Sequence, residues 1–190
     1  MDYQIYVFHK DDGLTSSERL KRAIGHYSGQ DDFLPAMERS AAGKPFFPDH
    51  PSLCFSISHS GDFWACAVGG APVGLDLQKY QPSNYTALSK RFFHPAEDAE
   101  LERVQYSPAY FFDLWTRKES YIKFTGRGLS QELESFSTVD PLPDAVIQTL
   151  PFLPDYSLSL CAAKINHYSL YHMTTAPPEE KTPCHKEDTP

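Results

Sequence analysis

Three short apolar runs, at residues 53–58, 63–68 and 73–77, are separated only by His59-Ser60-Gly61-Asp62 and by Gly69-Gly70-Ala71-Pro72. Runs this short, bounded by Gly, Pro and Asp, are strands joined by tight turns rather than helices. They predict an antiparallel meander, and the rest of the chain must fold around a sheet.

The flanking segments supply both strands and helices. Residues 4–9 are rich in β-branched and aromatic side chains and read as a strand. Ser16 and Ser17 precede a helical pattern that runs to about Gly29. Residues 34–51 are punctuated by Gly43-Lys44-Pro45, Pro48 and Pro51 and read mostly as loop. Gln81-Pro82-Ser83 opens a linker, and Pro95 starts a helix reaching about Tyr106. A longer helix runs from Pro108 to about Thr125 and stops at Gly126-Arg127-Gly128. Further strands are expected at residues 135–139 and 156–163. Helices and antiparallel strands come in blocks, so the fold class is α+β. From Thr174 onward the chain is Pro, Glu, Lys and Thr, the composition of a disordered tail.

Composition narrows the function. The net charge of −8 disfavours a polymeric nucleic-acid partner. It makes any local cluster of Lys and Arg more informative. No run approaches the roughly 18 apolar residues of a membrane span, and the first residues lack a secretion signal. A cytoplasmic monomer is expected, with Cys54, Cys66, Cys161 and Cys184 as reduced thiols.

Two segments bear chemistry. On the long helix, Trp115, Glu119 and Lys123 are four residues apart and share a face. Alone, Glu119 and Lys123 read as a surface ion pair worth about 0.3–0.5 kcal/mol, or as a cation ligand beside a phosphate-binding ammonium. In Gly74-Leu75-Asp76-Leu77-Gln78, strand alternation sends Asp76 and Gln78 to one side and the two leucines to the other. Mg²⁺ takes oxygen ligands, typically one or two carboxylates completed by substrate phosphates and water. Asp76 and Glu119 answer that need, although a polar-out edge strand explains Asp76 equally well. The Ser56–Ser60 segment, with Ser58 and His59, offers hydroxyl and imidazole donors for phosphate. A Ser–His hydrolase is the rival reading, without a G-x-S-x-G elbow. Gly43-Lys44-Pro45 lacks the spacing of a P-loop or dinucleotide fingerprint.

These pieces, in this order, resemble the 4′-phosphopantetheinyl transferases of the surfactin-synthetase-activating type. The residues that carry the resemblance are Gly43-Lys44-Pro45, Phe55-Ser56-Ile57-Ser58-His59-Ser60, Gly74-Leu75-Asp76-Leu77, and Arg91-Phe92-Phe93 with Glu97. The last block runs from Trp115 through Lys118, Glu119, Ser120 and Lys123 to Gly126-Arg127-Gly128-Leu129-Ser130. The match spans about residues 44–139, and residues 158–163 resemble the family's last strand.

The resemblance implies two similar α+β halves, residues 1–79 and 80–172, with the active site at their interface and a disordered tail at 173–190. It implies transfer of the phosphopantetheine arm of coenzyme A to a serine of an apo acyl or peptidyl carrier protein, releasing 3′,5′-ADP. By position, Asp76 and Glu119 would bind Mg²⁺, with Gln78 beside them. Glu97 would act as base, and Lys123 would hold the transferred phosphate. Arg19, Lys44, Ser58, His59, Lys118 and Lys123 would form the coenzyme A set, with His59 and Arg19 near the 3′-phosphate. The family has an acidic residue where this chain has Gln78, which predicts weaker metal binding. It also has a longer, basic and aromatic segment before the first helix, which predicts a remodelled coenzyme A site here. A non-catalytic coenzyme A- or carrier-binding module of the same fold is the second reading. A Mg²⁺-dependent coenzyme A phosphohydrolase is the third.

Overall fold

The computed structural model describes residues 1–128 and 133–174. Strand β1 (Asp2–His9) is followed by helix α1 (Ser16–Ser28), the two-residue strands β2 (Glu38–Arg39) and β3 (Pro45–Phe46), and β4 (Cys54–Ser60), β5 (Phe63–Gly69) and β6 (Val73–Lys79). Helices α2 (Tyr85–Phe92), α3 (Pro95–Arg103) and α4 (Pro108–Thr125) come next, then β7 (Val146–Leu150), β8 (Tyr156–Ala162) and β9 (His167–Met173). The architecture is α+β, as the sequence predicts.

Two sheets carry the fold, ordered β4-β5-β1-β9 and β6-β8-β7. Alternation along β1 explains how the first sheet is sandwiched. Tyr3, Ile5 and Val7 meet Leu75, Leu77, Leu158 and Leu160 of the second sheet. Tyr6 and Phe8 face the other way and pack with Leu20 and Ile24 of α1. A third core joins Phe93, Leu101, Phe111, Phe112 and Leu114 of the helical segment. The chain ends cross over: β6 pairs with β8, while β9 returns to lie parallel to β1, Ile5 opposite Leu170.

That crossover corrects the meander. The first two runs pair as β4 and β5, but the third, β6, leaves for the other sheet. Its amides still face β4, where hydroxyls receive them instead of carbonyls. Leu75 N donates to Ser56 Oγ at 3.0 Å, Leu77 N to Ser58 Oγ at 3.1 Å, and Lys79 N to Ser60 Oγ at 2.9 Å. Serines at every second position of β4 thus stitch one sheet to the other and satisfy a strand edge that would otherwise be buried without partners.

Residues 135–139 are not a strand. Their backbone groups are taken by side chains from the helices: Thr138 N donates to Glu97, and the carbonyls of Phe136 and Thr138 accept from Lys118 and Arg117. Cys66 and Cys161 are buried free thiols and Cys54 is half-buried. Leu129, Ser130, Cys184 and the predicted tail beyond Thr174 lie outside the described residues, while Met173 belongs to β9. Among the described residues no helix is long and apolar enough to cross a membrane.

Helix α4 lies against β6 at unusually short range, and Gly74 makes this possible. A Cβ at Gly74 would run into the carbonyl of Ser120 and the amide of Phe124 on α4. Opposite, Thr116 Oγ1 meets the hydroxyls of Ser157 and Ser159 on β8, both at 2.9 Å. Small and hydroxylated residues therefore line the contact. Gly74→Ala is expected to cost about 1–3 kcal/mol by overpacking, read from the urea midpoint, and to move α4 away from Asp76. An unchanged midpoint would show that α4 is not held by this contact.

Candidate active site

The close approach of α4 to β6 brings Asp76 and Lys123 together. Asp76 is 6% exposed, facing the helix while Leu75 and Leu77 fill the core. Its Oδ1 accepts from Lys123 Nζ at 2.7 Å and from Ser58 Oγ at 2.8 Å. Lys123 Nζ also donates to Leu75 O at 3.0 Å and Ile57 O at 3.3 Å. Lys123 therefore pairs across the seam with Asp76, not along its own helix with Glu119.

Glu119 is half-buried and feels both neighbours. Burial and then the Asp76 carboxylate push its pKa above the ordinary value, and Lys123 pulls it back. Two carboxylates, one on β6 and one on α4, thus converge with like charge. Among the described residues no third His, Cys, Asp or Glu completes a protein-only metal cluster. Two carboxylates are a donor set that fits Mg²⁺, which takes one or two of them and completes its shell with substrate oxygens and water. Gln78 follows two residues on along the same strand face and is half-buried.

Lys123 lines a cavity of about 420 Å³ between the β3 loop, β4 and the end of α4. Arg39, Lys44 and His59 line it too, and among the described residues no carboxylate does. In a chain of net charge −8, that is a local basin for an anion. His59 is exposed there. Lys44 Nζ donates to Val73 O and to Phe124 O, both at 3.2 Å, tying the Gly43-Lys44-Pro45 loop to β6 and to the end of α4. Burial pushes its ammonium below the usual value. Arg39 was not foreseen from the sequence. It stands opposite Pro45 in the β2–β3 ribbon and donates to Gly43 O at 2.9 Å. The loop motif held the signal, because a two-strand ribbon brings the other arm's cation to the same place.

The remaining predicted residues are placed elsewhere. Ser58 turns its hydroxyl to Asp76 and Leu77 N, so it orients the carboxylate. Arg19 is buried against Asp12, its Nε donating to Asp12 Oδ2 at 3.0 Å and a terminal nitrogen to Lys10 O at 2.8 Å. It braces the turn after β1 and is not among the residues that line the cavity.

Glu97 and Lys118 form a separate centre. Both are 0% exposed, and Lys118 Nζ lies 2.6 Å from Glu97 Oε2. Glu97 Oε2 also accepts from His94 N at 3.1 Å, closing a capping box at the start of α3. Its Oε1 accepts from Thr138 N at 2.8 Å and Thr138 Oγ1 at 2.9 Å. Lys118 adds Phe136 O and the face of the Phe136 ring, 4.1 Å away. Burial depresses the Lys118 pKa, and Glu97 opposes that shift. The sequence signal for a clamp was present in His94-Pro95, followed by an acid at the third helical position.

Comparison with known proteins identifies the family. Residues 72–176 match the model of the 4'-phosphopantetheinyl transferase superfamily, a span that contains β6, α3 and α4. A 4'-phosphopantetheinyl transferase of Bacillus subtilis is 35% identical over 173 residues, covering 82% of this chain and 77% of the relative. The 4'-phosphopantetheinyl transferase Sfp of Bacillus subtilis strain 168 is 38% identical over 173 residues, with the same coverage of 82% and 77%. The 4'-phosphopantetheinyl transferase HetI of Nostoc is 33% identical over 139 residues, covering 70% of this chain and 59% of the relative. The convergent carboxylates, the ammonium between the sheets and the cation-lined cavity thus lie in a chain that belongs to the 4'-phosphopantetheinyl transferase superfamily.

Proposed function

We infer that the protein transfers the 4′-phosphopantetheine arm of coenzyme A to a serine of an apo carrier protein and releases 3′,5′-ADP. The observation that carries this reading is the seam itself. Asp76 pairs with Lys123, Glu119 feels the charge of both, and Lys123 lines a cavity whose other charged residues among those described, Arg39 and Lys44, are cationic. Phosphoryl transfer depends mainly on neutralising charge and aligning the nucleophile, and little on covalent help from the protein. Asp76 and Glu119 would hold Mg²⁺, which supplies charge neutralisation at the pyrophosphate. Lys123 would bind the transferred phosphate, and Arg39, Lys44 and His59 would receive the rest of the anion. The carrier serine oxygen attacks the pantetheine-side phosphorus and gives its proton to water, and the bond to the adenosine-side phosphate breaks to release 3′,5′-ADP. Glu97 is read as a positioning residue rather than the base, because both of its oxygens are engaged and it is fully buried.

Incubation with coenzyme A, Mg²⁺ and an apo carrier protein, followed by mass spectrometry of the carrier, tests this. A gain of one phosphopantetheine arm is expected. Coenzyme A breakdown with an unlabelled carrier would establish hydrolysis instead, and binding without turnover on several carriers would establish a binding module.

Gln78 contributes an oxygen without charge. Gln78→Glu is expected to lower the Mg²⁺ concentration for half-maximal transfer by about threefold or more, since ligand charge sets affinity at oxygen sites. An unchanged Mg²⁺ dependence would show that residue 78 does not reach the ion.

A further inference from the structure

Lys123 has three ammonium protons, and three protein oxygens take them: Asp76 Oδ1, Leu75 O and Ile57 O. An ammonium has no fourth donor to offer. Yet Lys123 lines the anion cavity. To meet a phosphate oxygen it must release one of its protein partners. Leu75 O and Ile57 O are backbone carbonyls of β6 and β4, fixed by the strands. Asp76 is the partner that another cation can take over. The ammonium and a divalent ion therefore compete for the charge of one carboxylate, although Lys123 and Ser58 both hold only its Oδ1.

We propose that Lys123 is a placeholder cation. Without ligand it neutralises Asp76; when a pyrophosphate enters the cavity, the ammonium turns to it and leaves Asp76 to the divalent ion. This rests on reading Asp76 and Glu119 as the ion's ligands. The four-carbon stem of a lysine allows the swing without displacing α4. Ser58 keeps the site in register during the exchange, since its hydroxyl donates to the same Asp76 oxygen while accepting from Leu77 N. Glu119 has no ion-pair partner among the described residues, so the site is left short of positive charge as soon as Lys123 departs. The consequence is coupling. Mg²⁺ alone meets a carboxylate already neutralised by Lys123, whereas Mg²⁺ and coenzyme A each favour the binding of the other, reciprocally.

Calorimetric titration of the full chain with Mg²⁺, with and without coenzyme A and with no carrier present, reads this without turnover. Wild type is expected to bind Mg²⁺ about tenfold more tightly with coenzyme A. Lys123→Met is expected to raise the Mg²⁺ affinity of the ligand-free protein about five- to tenfold and to shrink the gain from coenzyme A. Lys44→Met removes the same charge from the same cavity without touching Asp76, and is expected to change ligand-free Mg²⁺ affinity by less than about twofold. Melting followed by circular dichroism confirms that each variant is folded, and Lys123→Gln carries the same comparison if Lys123→Met is not. Ligand-free Mg²⁺ affinity that ignores the loss of Lys123, or rises as much in Lys44→Met, overturns the placeholder. Asp76→Asn separates the two levels. If it binds Mg²⁺ as wild type does in the presence of coenzyme A, the ligand assignment itself fails.

Discussion

Glu119→Ala is expected to reduce carrier labelling about 10²–10³-fold at millimolar Mg²⁺, the scale set by removing one preorganised electrostatic group from a transition-state site. Two independent features give this size. The Asp76 carboxylate is close enough to raise the Glu119 pKa, so removing Glu119 halves the carboxylate charge available to a divalent ion. Lys123 then faces Asp76 alone, and the ammonium outcompetes the ion more easily. The loss should fall on transfer and on the Mg²⁺ requirement, while stability changes little or improves, because a half-buried carboxylate repelled by its neighbour is removed. Steady-state labelling across a Mg²⁺ series, together with thermal melts, separates these effects. Near-wild-type turnover at limiting Mg²⁺ would remove Glu119 from the metal site. A melt lowered by several degrees would instead recast Glu119 as structural.

The division between what the sequence discloses and what it conceals follows the range of the interactions. Helix α4 is bounded by local chemistry, with Pro108 in its first turn and Gly126 in the left-handed conformation past its end, so its limits are legible. The facing of Asp76 away from Leu75 and Leu77 is legible for the same reason, since strand alternation needs no partner. The fate of β6 is not. Five apolar-patterned residues in a row announce a strand, but not that serine hydroxyls on β4 will take its amides while β8 takes its other edge. Residues 135–139 mislead likewise: their composition suits a strand, and the groups that claim their backbone are 18 to 41 residues away. At the site, Asp76, Glu119 and Lys123 are found by type and spacing, whereas the direction of the Lys123 ammonium depends on two carbonyls from two strands. The clamp role of Glu97 is hidden in the same way, because three of its partners lie across the fold.

Breaking that clamp is expected to have the largest effect on stability of any single change considered. Lys118→Met leaves the Glu97 carboxylate fully buried without its counter-ion, the situation that costs about 3–5 kcal/mol when one member of a buried pair is lost. For a chain of this size, that corresponds to a fall in melting temperature of about 6–20 °C. Glu97→Gln keeps an acceptor for Thr138 N and Thr138 Oγ1 but strands the buried Lys118 ammonium, so it is expected to be destabilising as well. Pairing the two changes tests the cause directly: Lys118→Met with Glu97→Gln removes both charges and should recover about half or more of the loss. The same variants decide what Glu97 does for transfer. A general base contributes about 10²–10⁴-fold and is not restored by altering its neighbour. A clamp acts by holding α3, α4 and residues 136–138 together, and with them the α4 face that carries Glu119 and Lys123. Turnover per folded molecule should then fall no more than about tenfold in Glu97→Gln and should track the melting temperature across the set. A folded Glu97→Gln protein with wild-type stability and turnover reduced a hundredfold or more would return Glu97 to the chemistry, and would mean that its carboxylate leaves Lys118 when the carrier docks.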